Sequence, residues 1–369
     1  MKVLQINKLY YPFTGGVEKV AYDISNQLSD KVEMDVLVAN DKFKKVQEKI
    51  NGANIYRSAS LGRYFSMPVA PTFPFDLKQF DADIYHYHLP FPLGVVSHLL
   101  TNPNGKTVVT WHSDIVKQKN ILKLYKPFLM KFLEKADKIV TTSPNMIGSS
   151  PLLQPFKDKC TVIPLGIDPK DFVLTYEEET KVNKIKKNYN KPIIFFVGRL
   201  VYYKGIKYLI KAMQNIDAQL LIGGTGPLES ELKSQVKEYN LEDRVEFLGY
   251  VADEDLSAYY HASEMFVLPS VAKSEAFGIV QLEAQACGKP VISTNLPTGV
   301  PYANKDKETG LIVEPKSSQQ LADAINLLLS NENLRSTYGE NARKRVNDLF
   351  TIKKMGKNYL RLYKEVLNS

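Results

Sequence analysis

The chain has 369 residues, 44% of them hydrophobic and 24% charged, the make-up of a soluble globular protein that is longer than one hydrophobic core usually supports, so two domains are expected. Its 48 basic against 40 acidic residues give a formal charge of +8, too small an excess for a nucleic-acid binder, which leaves phosphorylated ligands and anionic membranes as partners. Only two cysteines, Cys160 and Cys287, are present; they fit buried reduced thiols better than a disulfide framework or a metal site, so a cytoplasmic protein is expected, and no signal peptide and no run of about 18 apolar residues stands out.

In chain order, short apolar runs read as strands at 3–6, 32–39, 55–58, 83–88, 107–112, 138–143 and 160–165, with helical patterns at 16–28 and 120–136. This alternation implies a parallel sheet with crossover helices. Gly15-Gly16 follows the first strand and opens a helix, whose free N–H groups can receive an anion or simply serve a tight connection. His86 and His88 project to one face of their strand, and no further ligand stands at a metal-binding interval. Between Val116 and Lys138 seven lysines accompany Leu122, Tyr125, Leu129, Phe132, Leu133 and Ala136 at helical spacing. The apolar stripe is expected to pack on the sheet, and the lysines to form a solvated face or to meet anionic lipid.

A charged stretch of low hydrophobicity, 175–191, separates this half from a restart of the pattern, with strands at 193–199, 218–224, 244–251, 265–270, 290–294 and 310–315. A second α/β domain therefore begins near residue 170, and residues 350–369 form an amphipathic terminal helix. Arg199 and Lys204 follow a buried strand and precede a helix starting around Ile206, which puts two cations at the ligand-binding edge of an α/β sheet. Gly224-Thr225-Gly226-Pro227 lacks the third glycine and the acidic partner of a dinucleotide fingerprint; the glycines are expected to give a close turn beside a ligand, with Pro227 at the first helical position. After the strand ending at Ser270, a loop through Phe277 leads to a helix starting close to Gly278. Its unsatisfied N–H groups, those of Gly278, Ile279 and Val280, face an anion, with Glu283 one turn on and Glu275 just before.

With Arg199 and Lys204 ahead of them, Glu275 and Glu283, seven residues intervening, carry a resemblance that spans nearly the whole chain: the sequence resembles nucleotide-sugar-dependent glycosyltransferases of family 4, with the GT-B fold. The resemblance implies two Rossmann-like domains facing across a cleft, residues 1–169 with the terminal helix 350–369 on the acceptor side and 170–349 on the nucleotide-sugar side. It implies that Arg199 and Lys204 bind the donor pyrophosphate and that Gly15 and Gly16 add a backbone contact. Glu283 is to hold the ribose hydroxyls, Glu275 the transferred sugar, and Phe277, Gly278, Ile279 and Val280 phosphate or sugar oxygens. Gly224 and the loop through Val251 are to lie beside the nucleotide. His112, in TWHSD, matches the family's cleft histidine, and His88 is expected to line the acceptor side.

The resemblance also implies transfer with retention, by a front-face route in which the leaving phosphate oxygen takes the acceptor's proton. Negative charge on that oxygen needs a metal or fixed cations. Neither Asp81-Ala-Asp83 nor Asp253-Glu254-Asp255 reads as a metal site, so no metal and no cofactor is expected. The donor it implies is a nucleotide diphosphate sugar, GDP-mannose or a UDP-sugar, with His112-Ser113-Asp114 resembling bacterial surface-polysaccharide mannosyltransferases. The expected acceptor is a saccharide or lipid-linked saccharide, met by a cytoplasmic protein that can attach peripherally to the inner face of the cell membrane. A sugar-nucleotide epimerase of the same fold and a non-catalytic sugar-nucleotide-binding protein are the alternatives.

Overall fold

The computed structural model describes residues 1–13, 15–64, 67–114 and 119–369, with the side chains of 119–122 outside that description. It divides into two compact units, Met1–Leu165 with Ile352–Ser369, and Gly166–Thr351.

The first unit runs β1 (Lys2–Ile6), α1 (Gly16–Leu28), β2 (Glu33–Ala39), β3 (Val46–Ile50), β4 (Ala53–Ser58), a two-stranded pair β5 (Arg63–Tyr64) and β6 (Met67–Pro68), α2 (Phe73–Leu77), β7 (Ile84–Leu89), α3 (Pro92–Thr101), β8 (Lys106–Trp111), α4 (Lys119–Lys135), β9 (Lys138–Thr141), α5 (Pro144–Ser149) and β10 (Cys160–Val162). Its main sheet has the order β10-β9-β8-β7-β1-β2-β4-β3 and is parallel except for the antiparallel edge strand β3. Central strands such as β1 and β7 are buried on both faces, which is why they read as continuous apolar runs. The edge strand VQEKI exposes Gln47, Glu48 and Lys49 in varying degree and carries no such run, so hydrophobic patterning passes over it.

The second unit contains α6 (Tyr176–Lys187), β11 (Ile193–Val197), α7 (Ile206–Ala212), β12 (Gln219–Gly223), α8 (Glu229–Glu238), β13 (Val245–Gly249), α9 (Asp253–Ala262), β14 (Met265–Leu268), α10 (Val280–Ala286), β15 (Val291–Thr294), α11 (Val300–Ala303), β16 (Gly310–Val313), α12 (Ser318–Ser330) and α13 (Glu332–Leu349). Its six-stranded sheet, β13-β12-β11-β14-β15-β16, is wholly parallel. A core of strand residues including Ile194, Phe195, Phe196, Leu221 and Phe266 is covered by helices through Leu209, Tyr260, Ile325 and their neighbours.

The last helix, α14 (Ile352–Leu367), returns to the first unit. Met355, Tyr359, Leu362, Tyr363 and Val366 recur every three or four residues and are buried. Tyr359 Oη lies 2.9 Å from Thr110 Oγ1 and Tyr363 Oη 2.7 Å from His86 Nδ1, so polar as well as apolar contacts bind the helix to β7 and β8.

Several features add to the expectations or correct them. The charged stretch 175–191 contains a regular helix, α6: the Thr175 side chain caps it by accepting from Glu178 N–H, glutamates fill its first turn, lysines its last, and Val182 is buried. Pro227 is not at a first helical position, because the chain closes a turn ahead of α8 with Leu228 N–H bonded to Leu200 O and Glu229 N–H to Gly226 O. Cys287 is buried, whereas Cys160 is only partly so. In α4 the apolar stripe Tyr125, Leu129, Phe132, Leu133 and Ala136 is buried as expected; Val116 and Lys117, and the side chains of Lys119 and Leu122, lie outside the described residues. Among the described residues, no helix is long and apolar enough to cross a membrane.

Candidate active site

In an open parallel sheet, ligands bind where strand order reverses, at the strands' C-terminal ends. In the second unit that point lies between β11 and β14, because β12 and β13 are added on one side of β11 and β14 on the other. Arg199 stands two residues beyond β11, solvent-exposed and without an acidic partner among the described residues. The chain then makes a 3-10 turn, Tyr202–Lys204, before α7. Lys204 Nζ reaches 2.7 Å from Glu275 Oε2 in the loop after β14, and both side chains are only 9% exposed. Ser270 Oγ donates to the same oxygen at 2.9 Å, and Thr294 Oγ1 in turn donates to the Ser270 carbonyl. A carboxylate this buried requires such partners.

The loop from β14 ends at Gly278, whose φ of +75° and whose closeness to Leu268 Cδ2, 2.6 Å from where a Cβ would stand, both demand glycine. With Gly278 left-handed, α10 begins at Val280 and not at Gly278, and Gln281 Nε2 folds back onto Phe277 O at 2.8 Å. The N–H groups of Gly278 and Ile279 thus precede the helix, and that of Val280 opens its first turn. The Phe277 ring is buried edge-on against Phe350, so this residue can offer a ligand only its backbone. Glu283 accepts the Tyr260 O–H at 2.8 Å, an anchor from α9 that is itself fully buried. Gly224 is glycine for a packing reason, a Cβ there falling 2.1 Å from Gly198 O, while Val251 is buried at the end of the β13 segment next to the 77% exposed Tyr250.

The first unit has its own reversal between β1 and β7. Gly15 caps α1, and the space a Cβ would take holds Glu18 Oε2, at 2.2 Å; Glu18 is buried and pairs with Lys8 at 3.4 Å. Gly16 has open space where its Cβ would be, which leaves its backbone approachable. His112, directly after β8, lies with Nε2 3.0 Å from His88 Nδ1, and His88 Nε2 lies 2.7 Å from Gln5 Oε1. His88 is completely buried with both ring nitrogens engaged, so it does not line an acceptor surface as its place near the strand end suggested. Burial, reinforced by the Lys8 charge, lowers His112 to about 3, and burial holds His88 well below the usual histidine range. His86, bonded to Thr110 and Tyr363, is lowered to about 3 for the same first reason.

The structure therefore joins Lys204 to Glu275 directly, places Arg199 and Gly224 on the same sheet edge, and sets Glu283 on the helix that follows. Gly15, Gly16 and His112 occupy strand ends of the other unit. Of the two acidic pairs, Asp83 accepts the Lys2 N–H and Asp255 pairs with Lys181 at 2.8 Å; among the described residues no group of three or more His, Cys, Asp or Glu is arranged to hold a metal. Ser270, Tyr260 and Gln5 hold site residues in place yet escape sequence reasoning, since no spacing announces a bond between Gln5 and His88, 83 positions apart.

Two family profiles match the chain, one described as Glycosyltransferase Family 4 over residues 14–171 and one as Glycosyl transferases group 1 over 177–345. The chain is 36% identical to O-antigen chain mannosyltransferase C of Escherichia coli, covering 100% of both proteins. It is 35% identical to a D-rhamnosyltransferase of Pseudomonas aeruginosa over 95% of this chain and 92% of the other. Among solved structures, sucrose-phosphate synthase from Thermosynechococcus elongatus superposes with a TM-score of 0.82 at 24% identity over 100% of both chains. Anabaena HepE in complex with UDP and glucose gives 0.78 at 20% identity over 99% of both. At those identities the structural likeness bears on the fold alone.

Proposed function

Because the chain belongs to the family 4 glycosyltransferases, a hexosyltransferase with the GT-B fold, we propose that it moves mannose from GDP-mannose to a saccharide or lipid-linked saccharide in cell-surface polysaccharide synthesis, with retention of configuration. The observation that carries the reading is the buried Lys204–Glu275 pair beside the exposed Arg199 at the sheet's reversal point. When the sugar's bond to the diphosphate breaks, negative charge gathers on the leaving oxygen, and Arg199 and Lys204 are the fixed cations that stabilise it. Lys204 has three N–H donors, and one held by Glu275 leaves others for phosphate. Glu275, its Oε2 tied to Lys204 and Ser270, positions the sugar hydroxyls and does not attack the anomeric carbon. Glu283, fixed by Tyr260, is assigned to the ribose. The choice of mannose is supported by the likeness to the Escherichia coli mannosyltransferase and by His112-Ser113-Asp114. Incubation with GDP-mannose, a nucleotide-activated D-rhamnose and UDP-glucose, scored by thermal stabilisation and nucleoside diphosphate release, tests it. GDP-mannose is expected to give both; preference for another donor overturns the mannose assignment, and no response to any overturns the transferase reading.

The acceptor's lipid carrier would bring the enzyme to an anionic membrane on its cytoplasmic side. Helix α4 supports this with Leu124 80% and Phe128 51% exposed among the exposed Lys123, Lys126 and Lys131, a mixture of apolar and cationic side chains suited to a lipid headgroup region. Sedimentation with anionic vesicles is expected to carry the protein down, and Leu124→Ser with Phe128→Ser to release it; equal sedimentation with neutral vesicles would count against the assignment.

A further inference from the structure

We propose that Gln5 and His88 are positioning residues that fix the tautomer of His112, placing its proton on Nε2 and leaving Nδ1 to accept a hydrogen bond from a substrate hydroxyl. The argument starts at the far end of the relay. Gln5 Nε2 lies 3.2 Å from Ala21 O and 2.7 Å from Ser25 Oγ, and Ser25 Oγ donates its own proton to Ala21 O at 2.9 Å. A carbonyl only accepts, and a hydroxyl whose proton is committed accepts from its other neighbour, so this end of the Gln5 amide is the NH2 group. Its oxygen therefore faces His88, and His88 Nε2, at 2.7 Å, carries the proton that Oε1 accepts.

His88 is fully buried and touches no carboxylate through these bonds, which keeps its ring neutral. A neutral imidazole with its proton on Nε2 has a lone pair on Nδ1. The group 3.0 Å from that lone pair is His112 Nε2, which must then donate. In a neutral His112 the remaining nitrogen, Nδ1, is an acceptor, and it makes no hydrogen bond with the described residues. Four groups on three elements, α1, β1 and β7, thus determine one proton position just beyond β8. That His112 meets a sugar at all rests on the transferase reading above; the direction of the relay does not. A histidine held in this form takes a hydrogen bond from a sugar hydroxyl and cannot give one through Nδ1, and it is not a general acid.

The chain has five histidines, so long-range proton–nitrogen NMR correlation on the full chain labelled with 15N-histidine resolves each ring, with assignment by replacing His98 and His261 and by comparing variants. The wild type is expected to show His112 protonated on Nε2, and a ring protonated on Nδ1 overturns the proposal without any variant. His88→Leu removes the accepting nitrogen, and His112 is expected to become a mixture of tautomers, with kcat/KM reduced about tenfold, the scale of one hydrogen bond. His88→Gln, which can again accept from His112 and donate to Gln5, is expected to restore both the spectrum and most of the rate. An unchanged His112 signal in His88→Leu also overturns the relay. If the wild-type ring is protonated on Nε2 but no nucleotide sugar is turned over, the relay stands and the transferase reading falls; turnover with an Nδ1-protonated ring sinks the relay alone.

Discussion

Lys204 and Arg199, five positions apart in sequence, face opposite constraints. Lys204 is locked against Glu275, each side chain only 9% exposed, whereas Arg199 is open to solvent. Removing one partner of a buried pair leaves the other charge uncompensated, at a cost of about 3–5 kcal/mol, while an exposed cation away from partners contributes less than about 0.5 kcal/mol. Lys204→Met is therefore expected to lower both thermal stability and transfer, and Arg199→Ala to lower transfer with its melting temperature nearly kept; equal melting temperatures would contradict this division. Glu275→Gln, which keeps an oxygen facing Ser270 and Lys204, is expected to lose transfer while donor affinity, measured by calorimetry, stays within a few-fold. Sequence reasoning singled out Arg199, Lys204, Glu275 and Glu283 as candidates because strand ends and helix starts mark the edge where ligands collect. It could not find Ser270 or Gln5, since which buried side chains meet across elements depends on packing that no short spacing records.

Helix α14 shows how an element can be secured by chemistry as well as by apolar area. Tyr363 Oη satisfies His86 Nδ1 at 2.7 Å, and both residues are buried. Tyr363→Phe leaves that nitrogen without its partner, and an unsatisfied buried group costs about 1–3 kcal/mol; urea unfolding is expected to show a lower midpoint with an unchanged slope. The amphipathic pattern of this helix was legible from residues 350 onward, but the unit on which it packs was foreseen only through the family resemblance, because an apolar stripe by itself is compatible with any apolar surface. The reverse holds for α6 and β3. Their apolar content is too low to stand out, and α6 becomes recognisable only through its Thr175 cap and its acidic first and basic last turns.

Across the whole molecule the histidines set a common response to acid. Burial lowers His86 and His112 to about 3 and His98 to about 4, against an ordinary value near 6.5. The unfolded chain therefore takes up protons below about 6.5 that the folded chain refuses until about 3–4, and stability contributed by keeping these rings neutral is fully present above pH 6.5 and lost as pH falls through that window. The melting temperature is expected to decline from pH 6.5 toward 4, and His86→Gln, with no ring to protonate, to decline less steeply. A profile equally steep in that variant would remove His86 from the explanation. The twofold restart of strand and helix made the pair of sheets legible, since parallel α/β architecture writes its period into the chain. The route of the chain through the two units has a further effect during synthesis. Residues 166–351 are continuous, whereas the surface of α1, β7 and β8 waits for residues 352–369 to leave the ribosome. The unit begun first is completed last, and a released chain truncated after residue 351 would carry a complete second unit and a first one with an uncovered apolar seam, the kind of surface that chaperones hold.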